Sequence, residues 1–194
     1  MRHAVTIFSC LICAAAGAAD TSKTPDPNAP SKTVTAPPEG QTPEGAGVQL
    51  KPTQGNAVKG SLSLSSEKGG VRIGGLIEGL KPNTEQGFHV HEKGDCSAPD
   101  ASSAGGHFNP TSQPHGDPKK SGPKHVGDMV NLRADAKGIA KVDVLIEGAK
   151  LHSGDKTDLD NKAIVVHQKP DDYTSQPAGD SGDRVACGVI GRSS

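Results

Sequence analysis

The stretch Val58–Leu64 reads VKGSLSL, with apolar residues at positions 58, 62 and 64 and small or polar residues between them. Side chains two apart on a β-strand point to the same face, so this alternation predicts a strand with one buried face. The segment Val71–Ile73 repeats the alternation after the turn-forming sequence EKGG. The two segments together predict neighbouring antiparallel strands.

Further short strands are predicted outward from this pair, at residues 87–91, 127–132, 139–146, 163–167 and 186–190. The 194-residue chain contains 25 Gly, 15 Pro and only 2% aromatic residues. This composition disfavours a helical bundle and favours a turn-rich antiparallel sandwich or barrel. Two longer interruptions, residues 92–126 and 168–185, are expected to be functional loops.

The first 45 residues differ from the rest of the chain. A basic start, a short apolar core and small residues near Ala18 and Ala19 are typical of a secretory signal peptide, which predicts a leader over residues 1–19. Residues 20–45 contain six Pro and only one large apolar residue, Val34, so a disordered tether is expected there. The folded domain is predicted to comprise residues 46–194.

Charge and hydropathy exclude several classes of protein. Of the 21 basic and 22 acidic residues, three basic and four acidic ones precede residue 46, so 18 of each remain in the predicted domain. This balance gives no indication of a nucleic-acid partner. No run approaches 18 apolar residues, and no membrane span is expected.

Two cysteines, Cys96 and Cys187, remain once the predicted leader is removed. An even number of cysteines in an exported chain predicts a disulfide bond.

Seven of the eight histidines lie from position 89 to position 167, and six of them, all except His152, form a candidate metal-binding cluster. His89 and His91 flank Val90 on a predicted strand, so both imidazoles can reach one ion. The remaining members of the cluster are His107, His115, His125, Asp128 and His167. Imidazole nitrogens suit copper and zinc, and three nitrogens with one carboxylate suit tetrahedral zinc. His152 lies among polar loop residues and is expected to be solvated.

Four motifs carry a family resemblance: GFHVHE at residues 87–92, GGHFNP at 105–110, HVGD at 125–128 and GDRVACGVI at 182–190. In this order and spacing they resemble copper/zinc superoxide dismutase, and more closely its exported bacterial form. The resemblance extends from about residue 46 to residue 192. It implies an all-β fold, a Greek-key antiparallel barrel or sandwich of about eight strands with two long functional loops.

The resemblance also implies one copper and one zinc ion per chain. Copper would be bound by His89, His91, His107 and His167. Zinc would be bound by His107, His115, His125 and Asp128, with His107 shared between the metals.

Three further roles follow from the same resemblance. Asp171 would accept hydrogen bonds from His89 and His115, and Arg184 would attract and orient superoxide beside copper. The implied reaction converts superoxide to oxygen and hydrogen peroxide by copper redox cycling, with His107 as a proton carrier.

Other interpretations stay open at this stage. The main alternative is an exported copper- and zinc-binding protein without turnover, and a copper-only relative or a copper chaperone are further ones. The leader indicates the periplasm, with an extracellular or lipid-anchored location as alternatives. The chain is expected to be a monomer or a homodimer.

Overall fold

A computed structural model describes residues 45–192 of the chain. The predicted leader, and the predicted tether except for Gly45, lie outside the described residues. The strands, in chain order, are β1 (Gly45–Pro52), β2 (Lys59–Glu67), β3 (Gly70–Glu78), β4 (Glu85–Gln86), β5 (Phe88–His91), β6 (Leu132–Arg133), β7 (Ala140–Glu147), β8 (Ala163–His167), β9 (Arg184–Val189) and β10 (Gly191–Arg192). One short 3-10 turn, Ser102–Ala104, lies in the loop between β5 and β6.

Eight of these strands form one antiparallel sheet in the order β5-β8-β9-β1-β2-β3-β7, with β10 paired to the start of β1. Strands β7 and β8 are consecutive in the chain but far apart in this order, a crossover typical of a Greek key. Strands β4 and β6 form a separate two-stranded sheet. The structure therefore confirms the all-β prediction.

The main core lies on one face of the curled sheet. Its largest fully buried side chains include Phe88, Leu64, Ile73 and Ile164. Burial of each such side chain contributes about 1.5–3 kcal/mol to folding. The alternation in Val58–Leu64 has the predicted effect, since Leu62 and Leu64 are buried while Ser61 and Ser63, which alternate with them, are exposed.

Strands β5 and β8 are buried on both faces. Phe88 and Val90 enter the main core, so the period-two geometry of β5 sends His89 and His91 to the opposite face. In β8, Ile164 and Val166 join the main core. A second apolar cluster contains Ala163 and Val165 of β8 with Cys187, Ala101 and Ala104.

The structure contains the predicted disulfide between Cys96 and Cys187, which are 91 positions apart. Cys187 lies in β9, and Cys96 lies in the loop that follows β5. The bond therefore ties this loop to the sheet.

Three expectations need correction. The prediction over 127–132 is wrong except at Leu132, because residues 126–131 form a turn and an irregular segment. Strand β1 was not among the predicted strands, although Ala46, Val48 and Leu50 alternate as buried residues. His152 is half-buried rather than solvated, and its Nδ1 lies 2.8 Å from Asp160 Oδ2.

Candidate metal centre

Two loops cover the outer face of β5 and β8. The long loop comprises residues 92–131, between β5 and β6, and the closing loop comprises residues 168–183, between β8 and β9. No helix among residues 45–192 is long and apolar enough to cross a membrane.

Four buried histidines converge under these loops, and we call them the histidine group: His89, His91, His107 and His167. One ring nitrogen from each lies within 4.8 Å of the others. Strand pairing explains part of this convergence, since β5 and β8 are antiparallel neighbours. His107 enters from the long loop through a bridge to His91.

Hydrogen bonds fix the orientation of three of these rings. His91 Nδ1 donates to the Gly105 carbonyl at 2.9 Å, and His167 Nδ1 donates to the Gly182 carbonyl at 3.1 Å. His89 donates from Nε2 to Asp171 Oδ2 at 2.7 Å. Each ring therefore keeps its other nitrogen unprotonated and available as a ligand.

Two of the available nitrogens have no hydrogen-bond partner among the described residues. They are His89 Nδ1 and His107 Nε2, and both are buried. A buried polar atom without a partner costs free energy, so a ligand is expected there. These orphaned nitrogens fit a metal ion with imidazole ligands.

A second group, which we call the mixed group, contains His107, His115, His125 and Asp128. The Nδ1 atoms of the three imidazoles lie 2.9, 3.0 and 3.1 Å from the same atom, Asp128 Oδ1. The Nδ1 atoms of His107 and His125 are 3.4 Å apart. A tetrahedral zinc ion with ligand bonds of about 2.0 Å requires edges of about 3.3 Å, so the donor set fits zinc.

Asp171 connects the two groups. Its Oδ2 accepts from His89 and its Oδ1 accepts from His115 Nε2 at 2.9 Å. The Asn131 side chain holds the main chain of Asp171, because its Nδ2 donates to the Asp171 carbonyl and its Oδ1 accepts from the Asp171 amide, both at 2.9 Å. Asp171 thus fixes one ring in each group.

Comparison with known proteins identifies the family. The family model described as "Copper/zinc superoxide dismutase (SODC)" matches residues 58–190. The chain belongs to the copper/zinc superoxide dismutase family.

Individual members of this family are also similar to the chain. "Superoxide dismutase [Cu-Zn] 2" of Aquifex aeolicus is 44% identical over 148 residues, which cover 75% of this chain and 85% of the relative. "Superoxide dismutase-like protein YojM" of Bacillus subtilis is 38% identical over 148 residues, 74% of each chain. A solved double mutant of a superoxide-dismutase-like protein from Bacillus subtilis superposes with a TM-score of 0.68 at 38% identity, covering 75% of this chain and 96% of the other. Accordingly, this dismutase acts on superoxide, and its metals are copper and zinc.

The environment of the dismutase site keeps three of its histidines in the neutral form that binds a metal, and it protonates a fourth. Burial lowers the pKa of His91 to about 2, of His167 to about 3 and of His107 to about 4. Burial by itself would also lower the pKa of His115, but hydrogen bonds to Asp128 and Asp171 outweigh it and raise that pKa to about 9. In the metal-free protein, His115 therefore carries a proton where the mixed group would hold a cation.

The two carboxylates of the site are anionic. Burial would raise the pKa of Asp128, yet hydrogen bonds from three imidazoles hold it well below its usual range. Asp171 has a lowered pKa for the same reason, with His115 and His89 as its partners. Two buried negative charges thus favour binding of metal cations.

Arg184, at the start of β9, is anchored by the long loop. Its Nη1 donates to the Ala101 carbonyl and its Nη2 to the Gly105 carbonyl, both at 2.6 Å. Both acceptors follow Cys96 in the segment that the disulfide ties to β9. The guanidinium therefore carries a permanent positive charge, and its position is set by hydrogen bonds to a loop that the disulfide holds.

The structure therefore brings all the predicted site residues into one continuous cluster, except Arg184, which joins it through Gly105. The sequence reasoning missed the carbonyls of Ala101, Gly105 and Gly182 and the side chain of Asn131. A main-chain carbonyl has no signature in the sequence. Asn131 lies close to Asp128 along the chain, but that proximity alone does not indicate its partner.

Proposed function

We propose that the histidine group binds copper, that the mixed group binds zinc and that His107 bridges the two metals. One observation carries this assignment. His107 presents Nδ1 to Asp128, and it presents to the histidine group a buried Nε2 that has no hydrogen-bond partner within residues 45–192. An imidazole with one nitrogen in each donor set is suited to join two cations.

The residues of the chain divide the work of the reaction. Bound copper supplies one-electron redox chemistry, so that two superoxide anions and two protons give oxygen and hydrogen peroxide. His107 Nε2 is buried and oriented to carry one of those protons. Arg184 attracts the anion and orients it, while Asp128 and Asp171 hold the rings in place.

We also propose that the protein is exported to the periplasm, with residues 1–19 as a cleaved leader and residues 20–45 as a tether. The basic start and short apolar core of the leader support export. The disulfide agrees with this location, because such bonds persist in oxidising compartments. Edman sequencing of the mature protein from a periplasmic fraction tests it: a start after Ala18 or Ala19 supports export, and an intact Met1 in the cytosol contradicts it.

The function is tested by measuring superoxide dismutation and metal content on one sample of purified, oxidised protein, reconstituted with both metals. About one copper and one zinc per chain with rapid turnover is the expected result. Stoichiometric binding of both metals without turnover would instead favour the metal-storage alternative. Loss of zinc alone from a His125→Ala variant, with copper retained, would support the division into two sites.

A further inference from the structure

The side chain of Gln176, in the closing loop, grips the main chain of His115 in the long loop. Its Oε1 accepts a hydrogen bond from the His115 amide at 2.9 Å, and its Nε2 donates to the His115 carbonyl at 3.0 Å. The side-chain amide thus pairs with both polar groups of one residue, as a neighbouring strand would. Gln176 is otherwise an exposed residue.

The closing loop consequently holds both the side chain and the main chain of His115. Asp171 holds the imidazole through Nε2, and Gln176 holds the main chain. The hydrogen bond to Asp171 fixes only Nε2 of the His115 ring. Rotation about the side-chain bonds of His115 would still allow its main chain to move. The two hydrogen bonds of Gln176 prevent this movement of the main chain. The position of His115 Nδ1 relative to Asp128 therefore depends on both Asp171 and Gln176.

No regular strand pairing holds this part of the long loop. The Gly116 amide donates to Asp128 Oδ2, so the residue after His115 is attached to the mixed group itself. The main-chain hydrogen bonds of His115 both go to Gln176. Without Gln176, the His115 peptide would have to bond to water.

We propose that Gln176 is a positioning residue of the zinc site, which holds the main chain of His115 and thereby slows the release of zinc. This inference rests on the proposed assignment of zinc to the mixed group. It concerns retention of the metal rather than turnover. Outer partners of metal ligands commonly change metal affinity by about tenfold or more, and we expect zinc release to become about tenfold faster without the contact.

The test compares Gln176→Ala and Gln176→Met with the matched control Gln168→Ala. Methionine keeps the length of the side chain but cannot make the two hydrogen bonds. Gln168 is an exposed glutamine of the same closing loop, and its side chain makes no hydrogen bond within residues 45–192. Zinc release to an excess of a chromophoric chelator gives the rate, and the visible spectrum of protein with Co²⁺ in the zinc site reports the ligand geometry.

Faster release from both Gln176 variants, with a shifted Co²⁺ spectrum and an unchanged Gln168→Ala control, is the expected result. Release at the wild-type rate from Gln176→Met would overturn the proposal, even if Gln176→Ala were faster, because packing would then be the cause. Equal release from all variants would overturn it too, while leaving the zinc assignment intact. A wild-type protein that binds no Co²⁺ in tetrahedral geometry would overturn both the inference and the assignment.

Discussion

Arg184 and His91 donate hydrogen bonds to the same oxygen atom, the carbonyl of Gly105. The guanidinium proposed to orient the substrate and a ring proposed to bind copper are therefore aligned by one acceptor. A shift of the Gly105 peptide would move both groups together. The disulfide limits such a shift, because it ties the preceding part of the long loop to β9.

Charge reversal at Arg184 is expected to slow dismutation while both metals stay bound. Arg184→Glu replaces an anchored cation by an anion that repels superoxide, and a loss of about hundredfold in rate is expected. The matched control is Arg133→Glu, since the side chain of Arg133 is 84% exposed and its ion-pair partner among residues 45–192 is Glu85. Pulse-radiolysis rates and metal analysis on the same samples check this. Full activity in Arg184→Glu would contradict the proposed role of Arg184 in attracting and orienting superoxide.

Substitution of Asp171 is expected to weaken both metal sites at once. In Asp171→Asn one oxygen is replaced by an amide nitrogen, so His89 and His115 cannot both find an acceptor. A decrease in affinity of about one to two orders of magnitude is expected for each metal. Competition titrations with chelators measure it. Asp172→Asn is the control, because the partners of Asp172 are Thr174 and Ser175; equal losses in the two variants would contradict the connecting role of Asp171.

Gly179 leaves no room for a side chain beside this connection. A Cβ at Gly179 would lie 2.8 Å from His115 Nε2 and even closer to Asp171 Oδ1. Gly154 has a similar positive φ, +69° against +65°, but a Cβ there would meet no atom of the described residues within 4 Å. Gly154→Ala should therefore cost only the backbone strain, about 1 kcal/mol. Gly179→Ala should cost more and also lower zinc affinity; equal unfolding free energies in urea would contradict this.

Removal of the disulfide is expected to destabilise the metal-free protein by about 4 kcal/mol, because the bond closes a long loop in the unfolded chain. The Cys96→Ala/Cys187→Ala double variant tests this in urea, where the free energy of unfolding and its denaturant dependence are both obtained. Without the bond, the carbonyls of Ala101 and Gly105 that orient Arg184 should be less well fixed, so the dismutation rate of the metal-loaded variant should also be lower. A decrease of less than about 1 kcal/mol in the free energy of unfolding would contradict the expected contribution of the disulfide.

The metal-free protein is expected to be most stable near pH 6.5. His91, His107 and His167 have folded-state pKa values of about 2, 4 and 3, below the unfolded value of about 6.5, so acidification below that pH favours unfolding. His115 has a folded-state pKa of about 9, so its contribution to stability is lost as the pH rises from about 6.5 through 9. Urea titrations of metal-free protein between pH 4 and about 10 measure this. A stability that rises steadily to pH 9 would contradict the role of His115.

Period-two alternation located β2 and β3 from the sequence. Strands β7 and β8 were found instead as short segments rich in apolar residues, and β8 shows no alternation because both of its faces are buried. The strand prediction failed over residues 127–132, where Asp128 is a site residue and Met129 is a core residue in an irregular segment that follows a turn. Strand β1 was overlooked because Gly45, Ala46 and Gly47 give little hydrophobic contrast.

The site was predictable wherever a side chain carries the chemistry. The imidazoles of both groups and the carboxylate of Asp128 were found from residue type and spacing, whereas Asp171 and the division of the ligands between two metals came from the family resemblance. The supports of those side chains were not, because they are main-chain carbonyls such as Gly182 and amide side chains such as Gln176. Their partners are decided by how the two loops pack against each other, which local sequence does not encode.

The closing loop begins directly after His167 and ends directly before Arg184. It also contains Asp171 and Gln176, so the span from residue 167 to residue 184 unites a proposed copper ligand, the connection between the metal groups and the proposed guide for substrate. One continuous segment of the chain therefore determines both the access of the anion and the retention of the metals. An insertion or a transplanted loop in this span would alter catalytic speed and metal loss together, and selection on one property would carry the other with it.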